Sequence, residues 1–416
     1  MPRHPHHDHA HPKGPLPTRR GFLRLLIPGS LFATRALAQQ PSDQAEAFRR
    51  RSEDFEAKGL AEPFKGLTAK GEVAPGLFPI RSTGVSTEPV RQAAERFLSS
   101  LTAEQRARTL FAIDAPEWRK WMNQHFYVRQ GVSLKEMTGA QRDAAFGLLQ
   151  AAMSARGFEL TRDIMRLNET LAELTGDREF LGEWLYYFTV MGTPSASEPW
   201  GFQLDGHHAI VNYFVLGDQV VMTPHFAGSE PVAATSGKYA GTIVLQEEQN
   251  RGLAMMQGLT AGQRKQAVLE FSKTGNNNLT EAFKDNVVLD YAGVPVRQLA
   301  GGQKKQILDL TALFVGHMDD GHARVKMQEV ERHLDATRFA WIGGTEAESV
   351  FYYRIHSPVV LIEFDHQRPA NLRDQAAAAR DKPTRQHIHV VVRTPNGNDY
   401  GKDLLRQHYL SHQHAG

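Results

Sequence analysis

The chain has 416 residues, of which 41% are hydrophobic and 23% are charged, a balance typical of a folded protein rather than a disordered one. Because 48 basic residues face 46 acidic ones, the net charge of +2 gives no support for nucleic-acid binding. No apolar run is long enough to predict a membrane span. The absence of cysteine excludes disulfides and thiolate metal sites, which leaves the 19 histidines as the main candidate ligands.

The N-terminus has the pattern of a bacterial export signal. Arg19 and Arg20 precede Phe22-Leu23 and a short apolar stretch, and Ala36-Leu37-Ala38 offers a cleavage site of the small-x-small type. The paired arginines resemble a twin-arginine signal, with an ordinary secretory signal as the alternative. We therefore predict a signal peptide over residues 1–38, recognition by the twin-arginine translocation machinery, and a periplasmic or secreted location.

Four helix starts along the chain share one design. At Thr102, Thr138 and Thr260, a threonine precedes a glutamine by three residues, which is the spacing of a capping box, and Ala300 begins a degraded fourth copy. Each pair of helix starts is followed by an aromatic-rich strand block and then by further strand-like sequence. We interpret this pattern as an internal duplication, with chance similarity of capping boxes as the alternative.

The predicted fold class is α+β, with helix pairs and antiparallel strand blocks repeated around a shared sheet core. We expect an N-terminal extension over residues 39–95 and one large duplicated domain over residues 96–416. The two halves of that domain are expected to cover residues from about 96 to 250 and from about 255 to 416.

Histidines concentrate on strand-like segments where they could share a metal ion. Alternation along a strand puts His387, His389 and Arg393 on one face, and two imidazoles at this spacing can bind one ion. His207 and His208 are adjacent, so we expect only one of them to point toward the ion. We predict metal ligands at His208, His387 and His389, with His207 as the substitute for His208.

Two acidic residues lie on an otherwise apolar strand of the same region. Glu363 and Asp365 are costly to bury unless they meet a cation or hydrogen-bond donors, and the duplication would place His208 opposite them. We predict that Glu363 or Asp365 activates a bound water and that Arg393 belongs to the same catalytic group. The alternative is a structural ion-pair network in which Arg393 and Arg354 neutralise the two acids.

Other residues are predicted to support the site. An aromatic-lined substrate pocket is expected from Trp200, Phe202, Tyr213 and Phe226. The C-terminal segment is predicted to turn at Asp399 and to continue as a short helix over residues 402–409, from which Asp399 and His408 would support the metal ligands. A helix that only seals the core is the alternative. His317, His322 and His333 lie in a charge-rich helical stretch and are expected at the surface.

The order of these motifs resembles DUF3500, a family of exported bacterial and fungal proteins defined by a domain of unknown function. The matching segments are Trp200-Gly201-Phe202-Gln203, Gly206-His207-His208, Phe339-Ala340-Trp341, Glu363-Phe364-Asp365 and His387-Ile388-His389. The resemblance extends over most of the chain after the signal peptide. It implies an exported, metal-associated protein, but it implies no particular reaction.

The expected function is that of a metal-dependent enzyme acting on a small-molecule substrate. Hydrolysis is the leading expectation among the possible reactions, because a divalent cation lowers the pKa of bound water and polarises a carbonyl or ester oxygen. Zinc, copper, iron and manganese all remain open as the metal. The alternatives are a copper- or iron-dependent oxidoreductase that uses the same histidines and carboxylates, and a non-enzymatic protein that binds metal or a small ligand.

Overall fold

The computed structural model describes residues 42–374 and 380–411, so the predicted signal peptide lies outside the described residues. The helices are α1 (Asp43–Gly59), α2 (Glu88–Ser100), α3 (Ala103–Thr109), α4 (Gly139–Ala152), α5 (Ala155–Thr175), α6 (Gln246–Gln257), α7 (Ala261–Ala267), α8 (Gly301–Val315), α9 (Asp320–Arg332) and α10 (Lys402–Ser411). The strands are β1 (Leu110–Phe111), β2 (Val132–Ser133), β3 (Tyr186–Met191), β4 (Trp200–Gly206), β5 (Ala209–Leu216), β6 (Gln219–Val221), β7 (His225–Ser229), β8 (Val268–Glu270), β9 (Val294–Pro295), β10 (Arg338–Gly343), β11 (Phe351–His356), β12 (Leu361–His366) and β13 (Ile388–Arg393).

The strands of the described residues form one mixed sheet in the order β1-β3-β4-β5-β7-β13-β12-β11-β10-β8. Outward from the central β7–β13 pair, the strands of the two sides correspond one to one: β5 to β12, β4 to β11, β3 to β10 and β1 to β8. β1 lies parallel to β3 as β8 lies parallel to β10, and β2 pairs with β3 as β9 pairs with β10. The antiparallel pairing of β7 with β13 joins the two series. The predicted α+β class with repeated blocks around a shared sheet is confirmed.

The capping boxes form as predicted and link the helices in pairs. The hydroxyls of Thr102, Thr138 and Thr260 each accept a hydrogen bond from the backbone amide three residues later. Alanine has no side-chain acceptor, so at Ala300 only the backbone amide is paired, with Gln303 Oε1. The box glutamines also pair across each helix pair: Gln141 with Gln105 at 2.7 Å and Gln263 with Gln303 at 3.1 Å.

The two faces of the sheet pack against different layers. Ile388, Val390 and Val392 of β13 face the larger core, which contains the helix pairs. Val391 points to the opposite face and packs in a second core with Phe226. Two long segments cover that second face: the first cover loop (residues 112–131, between β1 and β2) and the second cover loop (residues 271–293, between β8 and β9).

The surface positions predicted for two histidines are wrong. His317 is completely buried and His322 is only 4% exposed. His322 lies in the first turn of α9, where its Nδ1 is 2.7 Å from Asp319 Oδ2 and its Nε2 is 3.1 Å from the carbonyl oxygen of Asp218. The charged residues around it lie along the outer side of the helix, and in the sequence they predict a surface position. The N-terminus of the helix nevertheless packs against the β5–β6 turn.

In the described part of the chain, no helix is both long enough and apolar enough to cross a membrane.

Two glycines occupy matching positions where the cover loops rejoin the sheet. Gly131 has a φ of +84°, and a Cβ atom there would lie 2.0 Å from the carbonyl oxygen of Phe188. Gly293 has a φ of +96°, and its Cβ would lie 2.1 Å from the carbonyl oxygen of Phe339. Because the obstructing atoms belong to the backbone of β3 and β10, no side-chain movement can relieve the contact.

We expect Gly131→Ala and Gly293→Ala each to lower the free energy of unfolding by more than about 2 kcal/mol, measured by denaturant titration. Gly262→Ala is the matched control, because no atom lies within 4 Å of a Cβ at this helical position. It should leave stability unchanged or raise it by up to about 1 kcal/mol. Equal stabilities for the three variants would contradict the backbone obstruction inferred at both loop ends.

Candidate metal centre

Three histidines converge on one point at the second face of the sheet. The Nε2 atoms of His387 and His389 are 3.0 Å apart, and His208 Nε2 lies 3.3 Å from the first and 3.2 Å from the second. All three side chains are buried, with at most 5% of each residue exposed. The structure therefore brings together the three residues that were predicted as metal ligands, and this group could hold a metal ion.

Backbone geometry aims these side chains at each other. His387 directly precedes β13 and His389 is its second residue, so strand alternation turns both toward the same face. His207 and His208 form the two-residue turn between β4 and β5, where His208 has a φ of +66°. The amide of Gly228 donates to the carbonyl oxygen of His208 at 2.8 Å, which ties this turn to β7.

The spacing of the three nitrogens fits a metal ion. Ligands of a tetrahedral ion at about 2.0–2.1 Å lie about 3.3–3.4 Å from each other, and an octahedral ion would bring them to about 2.9 Å. The observed separations of 3.0 to 3.3 Å fall within or close to this range. The predicted convergence of the ring nitrogens is therefore confirmed, at separations short enough for joint ligation.

Hydrogen bonds on the far side of two rings determine which nitrogens are free to bind. His387 Nδ1 lies 2.7 Å from the carbonyl oxygen of Arg368, which can only accept, so this nitrogen carries the proton. His389 Nδ1 lies 2.7 Å from Glu281 Oε1 and is held in the same way. The Nε2 atoms of both rings consequently point at each other, an arrangement that a cation between them stabilises.

Burial keeps the rings of His208 and His389 neutral. Desolvation lowers the pKa of His208 and of His389 well below the ordinary value, and the neighbouring histidines lower it further. Neutral imidazole is the form that binds a metal. His208 and His389 are therefore ready to coordinate a cation at neutral pH without first losing protons.

Glu281 is a site residue that sequence reasoning missed. It lies in the second cover loop and contacts His389 as described above, and desolvation raises the pKa of its carboxyl group to about 6. A carboxylate on the outer nitrogen of a ligating histidine fixes the ring and strengthens its binding. Nothing in the surrounding Asn-rich sequence marks this glutamate, because its role depends on where the loop is anchored.

Glu363 and Asp365 provide that anchor. The amides of Leu279 and Thr280 donate to Glu363 at 2.9 to 3.2 Å, and the amide of Asn277 donates to Asp365 at 2.6 Å. Desolvation raises the pKa of both carboxyl groups, that of Asp365 to about 7. Among the described residues, only the three histidines form a group whose possible ligand atoms all lie within 4.8 Å of one another, and neither acid belongs to it. The two acids thus hold the loop that carries Glu281, and His208 meets the other histidines rather than these carboxylates.

Arg393 lies further along β13, in a separate buried network. Its guanidinium pairs with Asp285 at 2.8 Å and with Asp399 at 2.9 Å. Burial alone would lower the pKa of Arg393, but the two acids beside it hold that pKa above its ordinary value. The turn at Asp399 and the helix that follows form as predicted. His408, on that helix, lies near Glu198, and neither Asp399 nor His408 lines the cavity beside the three histidines.

The remaining predicted residues lie around the site or in the core. His207 stacks on His208 with ring centroids 3.9 Å apart, and its Nδ1 is 2.8 Å from Asn168 Oδ1. Phe226 contacts His389, with ring centroids 5.0 Å apart. The other three predicted pocket residues are buried in the larger core: Trp200, Phe202 and Tyr213. None of the four predicted pocket aromatics lines the cavity beside the three histidines, so their part in substrate binding stays a prediction.

A cavity of about 320 Å³ gives access to the centre. The three histidines form part of its wall together with Glu281, and Arg368 and Arg51 contribute positive charge. His125 of the first cover loop, which the sequence reasoning did not single out, also lines this cavity. We call this space the metal cavity.

Comparison with known families places this site in a recognised group. The family model described as a protein of unknown function (DUF3500) matches residues 83–402, well over half of the chain. The chain therefore belongs to this family, as its motifs predicted. No curated protein and no solved structure matches the chain.

We expect Glu281→Gln to weaken metal binding by about 10- to 100-fold, because the outer hydrogen bond to His389 loses its charge. Affinity should be measured by competition with a chromogenic chelator. Glu270→Gln, at an exposed position just before the same loop, is the control and should bind as the wild type does. Equal affinities for the two variants would show that Glu281 does not support the centre.

Proposed function

We propose that the protein is a metal-dependent hydrolase acting on a small-molecule substrate. The convergence of His208, His387 and His389 beside an open cavity is the observation that carries the proposal. Three histidines with a further position left open are a ligand set of catalytic zinc sites. The cavity supports an enzyme over a storage site, since a metal that is only stored does not need room for a substrate beside it.

The chemistry divides between the metal and the chain. A divalent cation in such a site, when bound, lowers the pKa of water and polarises a carbonyl or ester oxygen. Glu281 and the carbonyl oxygen of Arg368 hold the outer protons of His389 and His387, which keeps both Nε2 atoms free for binding. Residues of the second cover loop and of the β4–β5 turn line the metal cavity, through which a substrate would approach the centre.

A copper-dependent oxidoreductase is the second candidate, because imidazole nitrogens suit copper as well as zinc. Iron has less support. The common iron site uses two histidines and a carboxylate, whereas among the described residues no carboxylate oxygen joins the histidine group. A protein that only binds metal or a small ligand would use the same ligands, and it would lack turnover of any ester or amide.

We expect the protein to bind one Zn²⁺ per chain and to hydrolyse at least one member of a panel of small carboxylic esters and amides. His387→Ala and His389→Ala should each weaken Zn²⁺ binding by about 100-fold or more and abolish hydrolysis, because each removes one of three ligands. His333→Ala is the control, since its ring bonds to the carbonyl oxygen of Glu329, away from the centre. Metal binding without hydrolysis, but with oxidation by the copper-loaded protein, would favour the second candidate.

We also propose that the protein is exported through the twin-arginine route to the periplasm or beyond. The support is the sequence of Arg19-Arg20, Phe22-Leu23 and Ala36-Leu37-Ala38. Transport in the folded state would let the centre take up its metal in the cytoplasm, where copper competes less for the site.

Replacement of both Arg19 and Arg20 by lysine should therefore leave the precursor in the cytoplasm of a bacterial host, as measured by fractionation and immunoblotting. Arg24→Lys, outside the pair, is the matched control and should be exported normally. Undiminished export of the double variant would indicate the ordinary secretory route.

A further inference from the structure

A second cavity of about 310 Å³ adjoins the metal cavity. His125 and Phe126 of the first cover loop line both cavities. Neither the predicted substrate residues nor the proposed chemistry uses this space. Its position next to the metal centre raises the question of which part of a substrate it would hold.

The second cavity is lined by the charged residues Arg49, Arg129 and Glu179 and by five aromatic side chains. The aromatic residues are Phe48 of α1, Phe126 and Tyr127 of the first cover loop, Phe180, and Tyr187 of β3. Phe48 and Phe180 meet edge to face with ring centroids 4.7 Å apart, and Phe48 lies 5.7 Å from the ring of His125 in the same manner. Aromatic groups prefer such edge-to-face arrangements, so a further ring would find suitable packing partners here. We call this space the aromatic cavity.

The size and charge of this region fit an aromatic acid derivative. A protein cavity of about 150 Å³ holds a benzene ring, so the aromatic cavity has room for a ring with substituents. At the boundary of the metal cavity, the guanidinium of Arg51 lies over Phe126, 3.7 Å from its ring centroid. This exposed cation can attract a substrate with negative charge or a polarised carbonyl group.

We propose that the aromatic cavity binds the aromatic ring of the substrate, while the carboxyl-derived group of the same molecule lies at the three histidines. The substrate class is therefore an aryl-bearing carboxylic ester or amide. The assignment of the reacting group depends on the proposed hydrolase function, whereas ring binding in the aromatic cavity does not.

The test uses the zinc-loaded full chain and simple acids as probes. Acetate is compared with benzoate, phenylacetate and 3-phenylpropionate by isothermal titration calorimetry, because the series varies the distance between the ring and the carboxylate. At least one aromatic acid should bind ten times more tightly than acetate, as expected when a ring is buried among aromatic side chains. If all three bind within twofold of acetate, the proposal is overturned.

Two variants test the location of the ring. Phe180→Ala removes one wall, and Val128→Trp fills the cavity from a lining position that is 43% exposed and so tolerates a larger side chain. Each should reduce the preference for the aromatic acid at least tenfold. The control Phe271→Ala removes a phenylalanine that is 83% exposed and lines neither cavity, and it should keep the full preference. An unchanged preference in both cavity variants would overturn the proposal.

A neutral probe separates this inference from the proposed function. Phenol binding, followed by ligand-observed NMR, should depend on Phe180 in the wild type and equally in His387→Ala, which lacks one metal ligand. Phenol binding of this kind without any hydrolysis would support the aromatic cavity while the hydrolase proposal fails. Hydrolysis without any preference for aromatic acids or phenol would overturn the aromatic cavity and leave the hydrolase proposal standing.

Discussion

The antiparallel pairing of β7 with β13 is the interaction on which the rest of the structure depends. It joins the two repeated halves of the sheet, and its register sets Gly228 opposite His389. The amide of Gly228 also donates to His208, so one residue connects the turn that carries the first ligand with the strand that carries the others. A Cβ at this position would lie 2.8 Å from the carbonyl oxygen of Ile388 and 3.1 Å from the ring of His389. Glycine is therefore required for the strands and the imidazoles to approach this closely.

The two halves of the sheet share the same strand arrangement, but equivalent positions carry different side chains. These differences determine which residues reach the metal centre. Phe188 of β3 and Phe339 of β10 occupy equivalent positions in the two halves. The strand register that starts from each of them gives Asn212 of β5 the same position in the first half that Glu363 of β12 has in the second. Asn212 accepts a hydrogen bond from the side chain of Gln203 on the neighbouring strand, whereas Glu363 accepts one from the backbone amide of Thr280 in the second cover loop. A buried carboxylate is costly, and here its cost is offset by the amides that it orders. The ordered loop in turn brings Glu281 to His389.

The sequence predicted the features that follow from a regular spacing of residues along a strand or helix. It missed the features that depend on contacts with backbone groups far away in the sequence. Alternation along β13 placed His387 and His389 on one face, and three-residue spacing located the capping boxes. Glu363 and Asp365 accept hydrogen bonds from main-chain amides that lie 83 and 88 positions away, and no side-chain pattern marks these amides. A single sequence does not show that both faces of this sheet are covered, so it could not assign Trp200, Phe202 and Tyr213 to the larger core.

The central claim is that His208, His387 and His389 bind one metal ion together. X-ray absorption spectroscopy of the protein loaded with one equivalent of Zn²⁺ tests this claim most directly. We expect three imidazole nitrogens at about 2.0–2.1 Å from the metal, and one fewer in the His208→Ala variant. A coordination sphere of oxygen atoms alone, or a spectrum unchanged by the His208→Ala substitution, would contradict the claim.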